Sequence, residues 1–266
     1  SASAMPAVAG KHTNLESAIS AAAGILRNSK QPLFAGLGTE VQGMRAIMKL
    51  AEKTNAILDH MHSDATVSNT RAMQNSGWLT TTLSEVKNRA DVILAIGTDI
   101  TGSHPRFFEK LVQNDDSLFN KARPEVIYLG AAPASATGTK IPCDAIKLPE
   151  IINTLNALLN GKQLHTDTVA GIAVATLAAV LEKLKNAQYA VIVWSASALN
   201  IPHVELSIQS IVQLISTLNE TSRAAGLPLN AGDGDSSVNN VSTWLSGYPT
   251  RCRFDNGTPL YDTTRY

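Results

Sequence analysis

Thiols are scarce in this chain of 266 residues, which holds two cysteines, Cys143 and Cys252, far apart in sequence. Neither belongs to a Cys-x-x-Cys pair. An iron–sulfur cluster or a Cys-rich zinc site therefore cannot be built from them, because such centres draw on several clustered thiolates. Two unclustered cysteines suit a reducing compartment. An excess of either charge is missing as well: 22 basic residues balance 22 acidic ones, and no basic footprint points to nucleic acid. Long apolar runs are absent too. The most apolar stretch, residues 168–184, is broken by Gly171 and Thr176 and carries Glu182 and Lys183 near its end, which makes it too short and too polar for a membrane span. No charged segment followed by an apolar one opens the chain, so the cytoplasm is the expected location. No Gly-x-Ser-x-Gly elbow surrounds Ser195 or Ser197, and a hydrolase triad is unsupported.

What remains is an ordinary globular composition, 44% hydrophobic, with enough apolar material for a substantial core. Its pattern alternates between helix and strand periods. Asn14 is placed to cap a helix over 15–28; strands are expected at 32–37, 56–59, 92–96, 126–129 and 145–148, with helices at 41–55 and 150–159. Beyond a boundary near 160–168 come a helix at 168–185, a strand at 189–194, a helix at 202–225 and a strand near 227–229. Such alternation predicts an α/β fold: a doubly wound, mainly parallel, Rossmann-like sheet with a second, smaller α/β domain. The expected division is a tag-like or disordered start over 1–10, a Rossmann-like domain over 11–162, a smaller domain over 163–247 and an extended tail over 248–266. The opening SASAM has the look of an expression remnant.

Three clusters invite a functional reading. After the 92–96 strand, residues 97–104 form a polar turn, and in open α/β sheets ligands gather at such carboxyl ends. Thr98, Ser103, His104 and Arg106 are the candidates there: His104 to orient a substrate oxygen and Arg106 to pair an anion, or, more simply, a helix start with His104 as cap and Arg106 in a salt bridge. Gly36 and Gly38 lead from a strand toward a helix and can cradle a phosphate, although the third glycine of a dinucleotide fingerprint is missing and tight turning serves as well. His60, His62 and Asp64 have the residue types for zinc, or simply form a polar loop after the second strand. Residues 232–237, Gly-Asp-Gly-Asp-Ser-Ser, lack the spacing of a calcium loop and read as a flexible turn.

Three segments also carry a family resemblance. The run LSEVKNRAD, from Leu83, with its following strand, Gly-Thr turn and SHPR; the run GTEVQGMRAIMKLAEKTNAILDH, from Gly38 to His60; and Val241-Ser-Thr-Trp-Leu-Ser-Gly-Tyr-Pro249 together resemble the B subunit of formylmethanofuran dehydrogenase, of the molybdopterin oxidoreductase superfamily. The resemblance implies a tungsten or molybdenum pterin and an iron–sulfur cluster in active members. Here it places Ala65 and Thr66 where active members carry a metal-ligating Cys followed by His, and Asn230 where an Arg is expected. The family's chain continues beyond the point where this one stops, into a region that helps hold the pterin; a natural short form and a cut one both stay open.

Those departures point away from redox chemistry. The resemblance is closest to the metal-free B subunit of the bacterial formyltransferase/hydrolase complex, in which sister subunits transfer a formyl group to a methanofuran-like carrier and release formate. The implied role is a noncatalytic subunit with no cofactor, no catalytic residue of its own, sister subunits as partners and a methanofuran-like carrier as a possible ligand. A truncated piece of an active dehydrogenase subunit and a carrier-binding module are the alternatives.

Overall fold

The computed structural model describes residues 5–113, 116–119, 122–232 and 234–262. It divides into two compact units, the smaller formed by residues 1–63 and 233–266 and the larger by 64–232. Residues 1–4 and 263–266, the ends of the expected start and tail, lie outside the described residues, as does Asp233 of the expected flexible turn.

The larger unit is built on five parallel strands, ordered Ala224–Pro228, Ala190–Trp194, Val92–Ile96, Glu125–Leu129, Thr139–Ile141. Val92–Ile96 and Ala190–Trp194 are buried at every position, as unbroken apolar strands must be when both faces of a parallel sheet are covered. Alternate residues feed two cores. Leu94, Ile96, Ile127, Ile192 and Trp194 pack with the helices Leu148–Leu159, Val174–Asn186 and Val204–Leu218. Ile93, Ala95, Tyr128, Val191 and Val193 pack on the opposite side with Val86, Ile100, Phe107 and Val112. The Asp91 carboxylate accepts the backbone N–H groups of Gln188 and Tyr189, at 2.7 and 2.9 Å, and so ties the start of one central strand to its neighbour.

The smaller unit carries a four-stranded sheet in which Leu33–Gly36 runs parallel to Ile57–His60, and Ile57–His60 antiparallel to Cys252–Asp255, itself hairpinned to Thr258–Leu260. Met44, Met48 and Ala51 of the helix Val41–Thr54 meet Val238 and Val241 of the helix Asp235–Ser246 over this sheet. The first helix, Leu15–Asn28, starts where expected: Asn14 Oδ1 accepts the Ser17 N–H at 2.8 Å.

Several expectations need correction. The chain does not divide near 160–168, because strands from both sides of that boundary pair directly, Val92 opposite Ala190. A hydrophobic strand cannot declare its partner from its own composition. Within the expected 248–266 tail, Cys252–Asp255 and Thr258–Leu260 form a hairpin, and residues 7–12 of the expected tag-like or disordered start form another, Ala7–Val8 with Lys11–His12. Both turn on residue pairs with positive φ, Asn256-Gly257 and Ala9-Gly10, the conformation that matches the twist of paired strands. The fifth strand is Thr139–Ile141, whereas 145–147 is a 3₁₀ turn. The polar stretch after the second strand is a helix, Ser63–Ser76, and Asp235 opens a helix in what was read as a flexible turn. The 168–185 helix begins only at Val174, after a short hairpin through Ala170-Gly171. Among the described residues no helix is long and apolar enough to cross a membrane.

Candidate functional site

In the smaller unit, two parallel strands end side by side with Gly36 opposite His60. Gly36 adopts φ +85°, and a Cβ there would meet nothing within 4 Å; the exposed Gly38 follows in the turn toward the helix at Val41. His60 is 5% exposed. Its backbone N–H donates to Ser63 Oγ at 3.0 Å, and Ser63 Oγ lies 3.3 Å from Thr250 Oγ1. Its Nδ1 accepts the His62 N–H at 3.0 Å and stands 3.1 Å from Asp235 Oδ1. One nitrogen cannot accept from an amide and donate to a carboxylate at once. With the proton on Nε2, His60 keeps the His62 bond, and Nε2, buried with no hydrogen-bond partner among the described residues, becomes an idle donor. With the proton on Nδ1, it satisfies Asp235 and gives up His62. Burial lowers the imidazole pKa below its ordinary value, and the opposing pull of Asp235 is the smaller effect, so the ring is neutral near pH 7.

Asp235 reaches this position because Gly234 lets the backbone turn sharply. Gly234 has φ +83°, and a Cβ on it would lie 2.9 Å from Thr39 N and 3.0 Å from Thr39 O. Only glycine combines that left-handed conformation with so close a backbone approach. In sequence Asp235 belongs to the expected flexible turn and has no evident link to His60, although Val238, Val241 and Leu245 recur at helical spacing and mark the helix it opens.

In the larger unit, the candidates after Val92–Ile96 separate into different environments. Thr98 is buried, 1% exposed. Asp99 caps a single helical turn, accepting from Thr101 N–H at 2.9 Å and Thr101 Oγ at 2.6 Å. Ser103 Oγ lies 2.8 Å from His104 Nδ1, and burial lowers the His104 pKa. Arg106 grips Glu109 in a two-point contact on the surface, Nε to Oε2 at 3.1 Å and Nη2 to Oε1 at 2.8 Å, which is the plain salt-bridge reading. The His104 side chain does not cap a helix; its carbonyl accepts Phe107 N–H. The ligand-binding candidates are thus divided, Gly36 and Gly38 in one unit and Thr98, Ser103, His104 and Arg106 in the other.

Donors for a metal are not assembled. Among the described residues no three His, Cys, Asp or Glu side chains are grouped to hold one, so His60, His62 and Asp64 do not form the trio their spacing offered. Ala65 packs against the core of the larger unit, and Asn230 is exposed. Two open clefts, of about 460 and 400 Å³, contain none of the candidates; the first is lined by Arg27, Lys30 and Lys53 among others, the second by Ser76, Leu206 and Gln209.

No family model matches the chain. It is 27% identical over 259 residues to the B subunit of the tungsten-containing formylmethanofuran dehydrogenase 2 of Methanocaldococcus jannaschii, covering 95% of this chain and 60% of that protein. The corresponding polypeptide of Methanococcus maripaludis is 26% identical over the same shares. The chain therefore spans 60% of the length of these two relatives. Identity to the Fhc B subunit of the formyltransferase/hydrolase complex of Methylorubrum extorquens is 29% over 265 residues, 97% of this chain and 68% of that one. Among solved structures, the fold is similar to a chain of the FhcABCD formyltransferase/hydrolase complex from Methylorubrum extorquens in complex with methylofuran, with a TM-score of 0.79 and 26% identity, covering 98% of this chain and 69% of that chain. A shared fold along nearly the whole chain, joined to these identities, makes the protein a homologue of the B subunits of formylmethanofuran dehydrogenase and of the formyltransferase/hydrolase complex.

Proposed function

We propose that this chain is a redox-inactive, noncatalytic B-type subunit of a formyltransferase/hydrolase complex, working in the cytoplasm in the tetrahydromethanopterin-linked one-carbon metabolism that takes formaldehyde to formate. The observation that carries the reading is the likeness, over 98% of this chain, to a chain of a formyltransferase/hydrolase complex. Donor chemistry supports it. The resemblance places Ala65 and Thr66 at the family's metal-ligand positions; a methyl group cannot ligate, and a neutral threonine hydroxyl supplies neither the thiolate nor the imidazole expected there. No thiolate cluster accompanies them. The residues present do not fit a tungsten or molybdenum centre, and the chain is expected to carry no cofactor.

A doubly wound, Rossmann-like character of the large sheet belongs to the same proposal. Helices cover both faces, and from one edge the strands follow in chain order third, second, first, fourth, fifth, the order of a nucleotide-binding frame.

Purification of the protein from its native host, with mass-spectrometric identification of what co-elutes, tests the assignment. A formyltransferase subunit and an amidohydrolase-like subunit are expected at equal stoichiometry. Recovery of the chain alone, or with stoichiometric tungsten or molybdenum by elemental analysis, overturns it.

A second role is compatible with the first: the solved complex contains methylofuran, and a carrier of that type is a ligand for Gly36, Gly38, Thr98, Ser103, His104 or Arg106. Calorimetric titration with a methanofuran-like compound is expected to give saturable heat, and none at millimolar ligand counts against it.

A further inference from the structure

Two neighbouring strands of the large sheet end in glycines held in the left-handed region, Gly97 at φ +60° and Gly130 at φ +89°. At such carboxyl ends glycine ordinarily lets backbone approach the phosphate of a bound nucleotide or cofactor, and the crevice lies where the strand order reverses, here between Val92–Ile96 and Ala190–Trp194. In this chain the space over the glycines is taken by its own side chains. A Cβ on Gly97 would sit 2.5 Å from Leu148 Cδ1 and 2.5 Å from Leu199 Cδ2, far inside the contact distance of two carbons. A Cβ on Gly130 would meet Cys143 Sγ at 3.4 Å, Leu148 Cδ2 at 3.5 Å and Gly97 Cα at 3.6 Å.

Leu199 is driven into that position by its own turn. Ala198 N–H and Leu199 N–H both donate to Ser195 O, at 3.0 and 3.2 Å, and Ile201 N–H donates to Leu199 O at 2.9 Å. The polar groups flanking the spot are engaged or covered: Ser195 Oγ is 3.0 Å from Ser197 Oγ, and Thr98 is buried. Leu148 and Leu199 are 0% and 3% exposed. A phosphate arriving here would find methyl groups where amides should face it, and no cation among the side chains that touch the glycines.

We propose that Leu148, Leu199 and Cys143 form an apolar plug over Gly97 and Gly130, which closes the large sheet's crevice to the phosphate-bearing part of a nucleotide or pterin cofactor. The plug deepens the redox-silent role proposed above and rests on the doubly wound character proposed with it.

Cys143 provides the test, because it belongs to the plug and the other cysteine, Cys252, is 0% exposed. The full chain is treated with a chromogenic aromatic disulfide, and Cys143→Ser identifies the reacting thiol. In the folded wild type the half-buried Cys143 should react severalfold more slowly than in the urea-unfolded chain, since partial shielding and a thiol pKa raised by burial both slow attack. Leu199→Ala should speed the folded-state reaction severalfold, and guanosine diphosphate at millimolar concentration should leave the wild-type rate unchanged. Leu199→Val, a smaller truncation, serves in the same assay if the alanine variant does not fold. Reaction of the wild-type thiol at the unfolded rate, protection by guanosine diphosphate, or no acceleration in the folded Leu199 variant each overturns the plug. Metal analysis and co-purification are unaffected by any of these outcomes, so failure here is distinct from failure of the subunit assignment.

Discussion

Acidification should weaken the smaller unit through His60, and the direction follows from the side chain's surroundings. In the folded chain the imidazole is buried and its pKa lies below the ordinary value near 6.5. In the unfolded chain it returns to that value. Between the two, the unfolded state binds a proton that the folded state refuses, so stability is intact above about pH 6.5 and falls as pH drops through that point toward the folded pKa. One such group contributes at most about 1.4 kcal/mol per pH unit across that window. Denaturant unfolding between about pH 7.5 and about pH 5, a range that brackets the ordinary imidazole value, measures it by tryptophan fluorescence. His60→Asn retains an acceptor near the Nδ1 position for the His62 N–H and cannot titrate. It should lower stability at neutral pH and flatten the acid slope relative to wild type. His104 is also depressed by burial and titrates in the same direction, so a residual slope is expected in the variant, and His104→Gln should remove a separate part of it. If His60→Asn and wild type show the same acid slope, the imidazole is not withheld from protonation by burial and the account of this site fails. A wild-type stability that rises on acidification would mean that the Asp235 attraction outweighs desolvation, the reverse of the balance that burial sets at His60.

Other perturbations follow from close contacts. Gly226→Ala would drive a methyl to 2.8 Å from the Trp194 ring, which is pinned by an edge contact with Trp78 and an Nε1–H bond to Asn69 at 3.2 Å; a loss of about 1–3 kcal/mol is expected by denaturant titration, and an unchanged midpoint would show that the ring yields freely. Gly234→Ala combines left-handed strain with a clash against Thr39 backbone and should cost about 2–4 kcal/mol, visible as early loss of Trp244 signal; wild-type behaviour would refute the tight approach. Arg106→Ala should leave the thermal midpoint unchanged, because its pair with Glu109 is exposed and solvent-screened. A large shift in midpoint would mean that Arg106 has a structural role its contacts do not reveal.

Local physics explains which parts of the fold were legible. Val92–Ile96 and Ala190–Trp194 announce themselves as strands because burial on both faces demands unbroken apolar residues, and Asn14 marks a helix start because its side chain supplies an acceptor to an otherwise orphaned amide. Thr139–Ile141 carries too little apolar material to stand out. The helix Ser63–Ser76 is rich in Ser, Thr and Asn, residues that compete with the helical backbone for hydrogen bonds, and tertiary packing of Ala65 and Ala72 decides in its favour. The closing hairpin carries its own signal, since Asn256-Gly257 is a strong two-residue turn pair, but its flanking strands Cys252–Asp255 and Thr258–Leu260 are too short and mixed to show a period.

The candidate site was legible only in halves. His60 drew notice from its spacing to His62 and Asp64, a local pattern, yet the partner that faces its ring nitrogen is Asp235, supplied by a helix far along the chain. Nothing in a one-dimensional pattern joins them, since the pairing depends on Gly234 bringing one backbone against Thr39. The plug over Gly97 has the same character. Leu148 and Leu199 look like any core leucines, and their meaning emerges only once the sheet places both above one glycine. A crevice is defined by what several loops leave vacant, and a single apolar side chain from a neighbouring loop suffices to fill it while leaving strand periods, core volume and fold unchanged. Frame and site are therefore under separate control in this chain: the sheet persists because buried Val, Ile and Leu each contribute roughly 1.5–3 kcal/mol whatever happens at its carboxyl edge, whereas loss of ligand chemistry requires only that a few edge residues change.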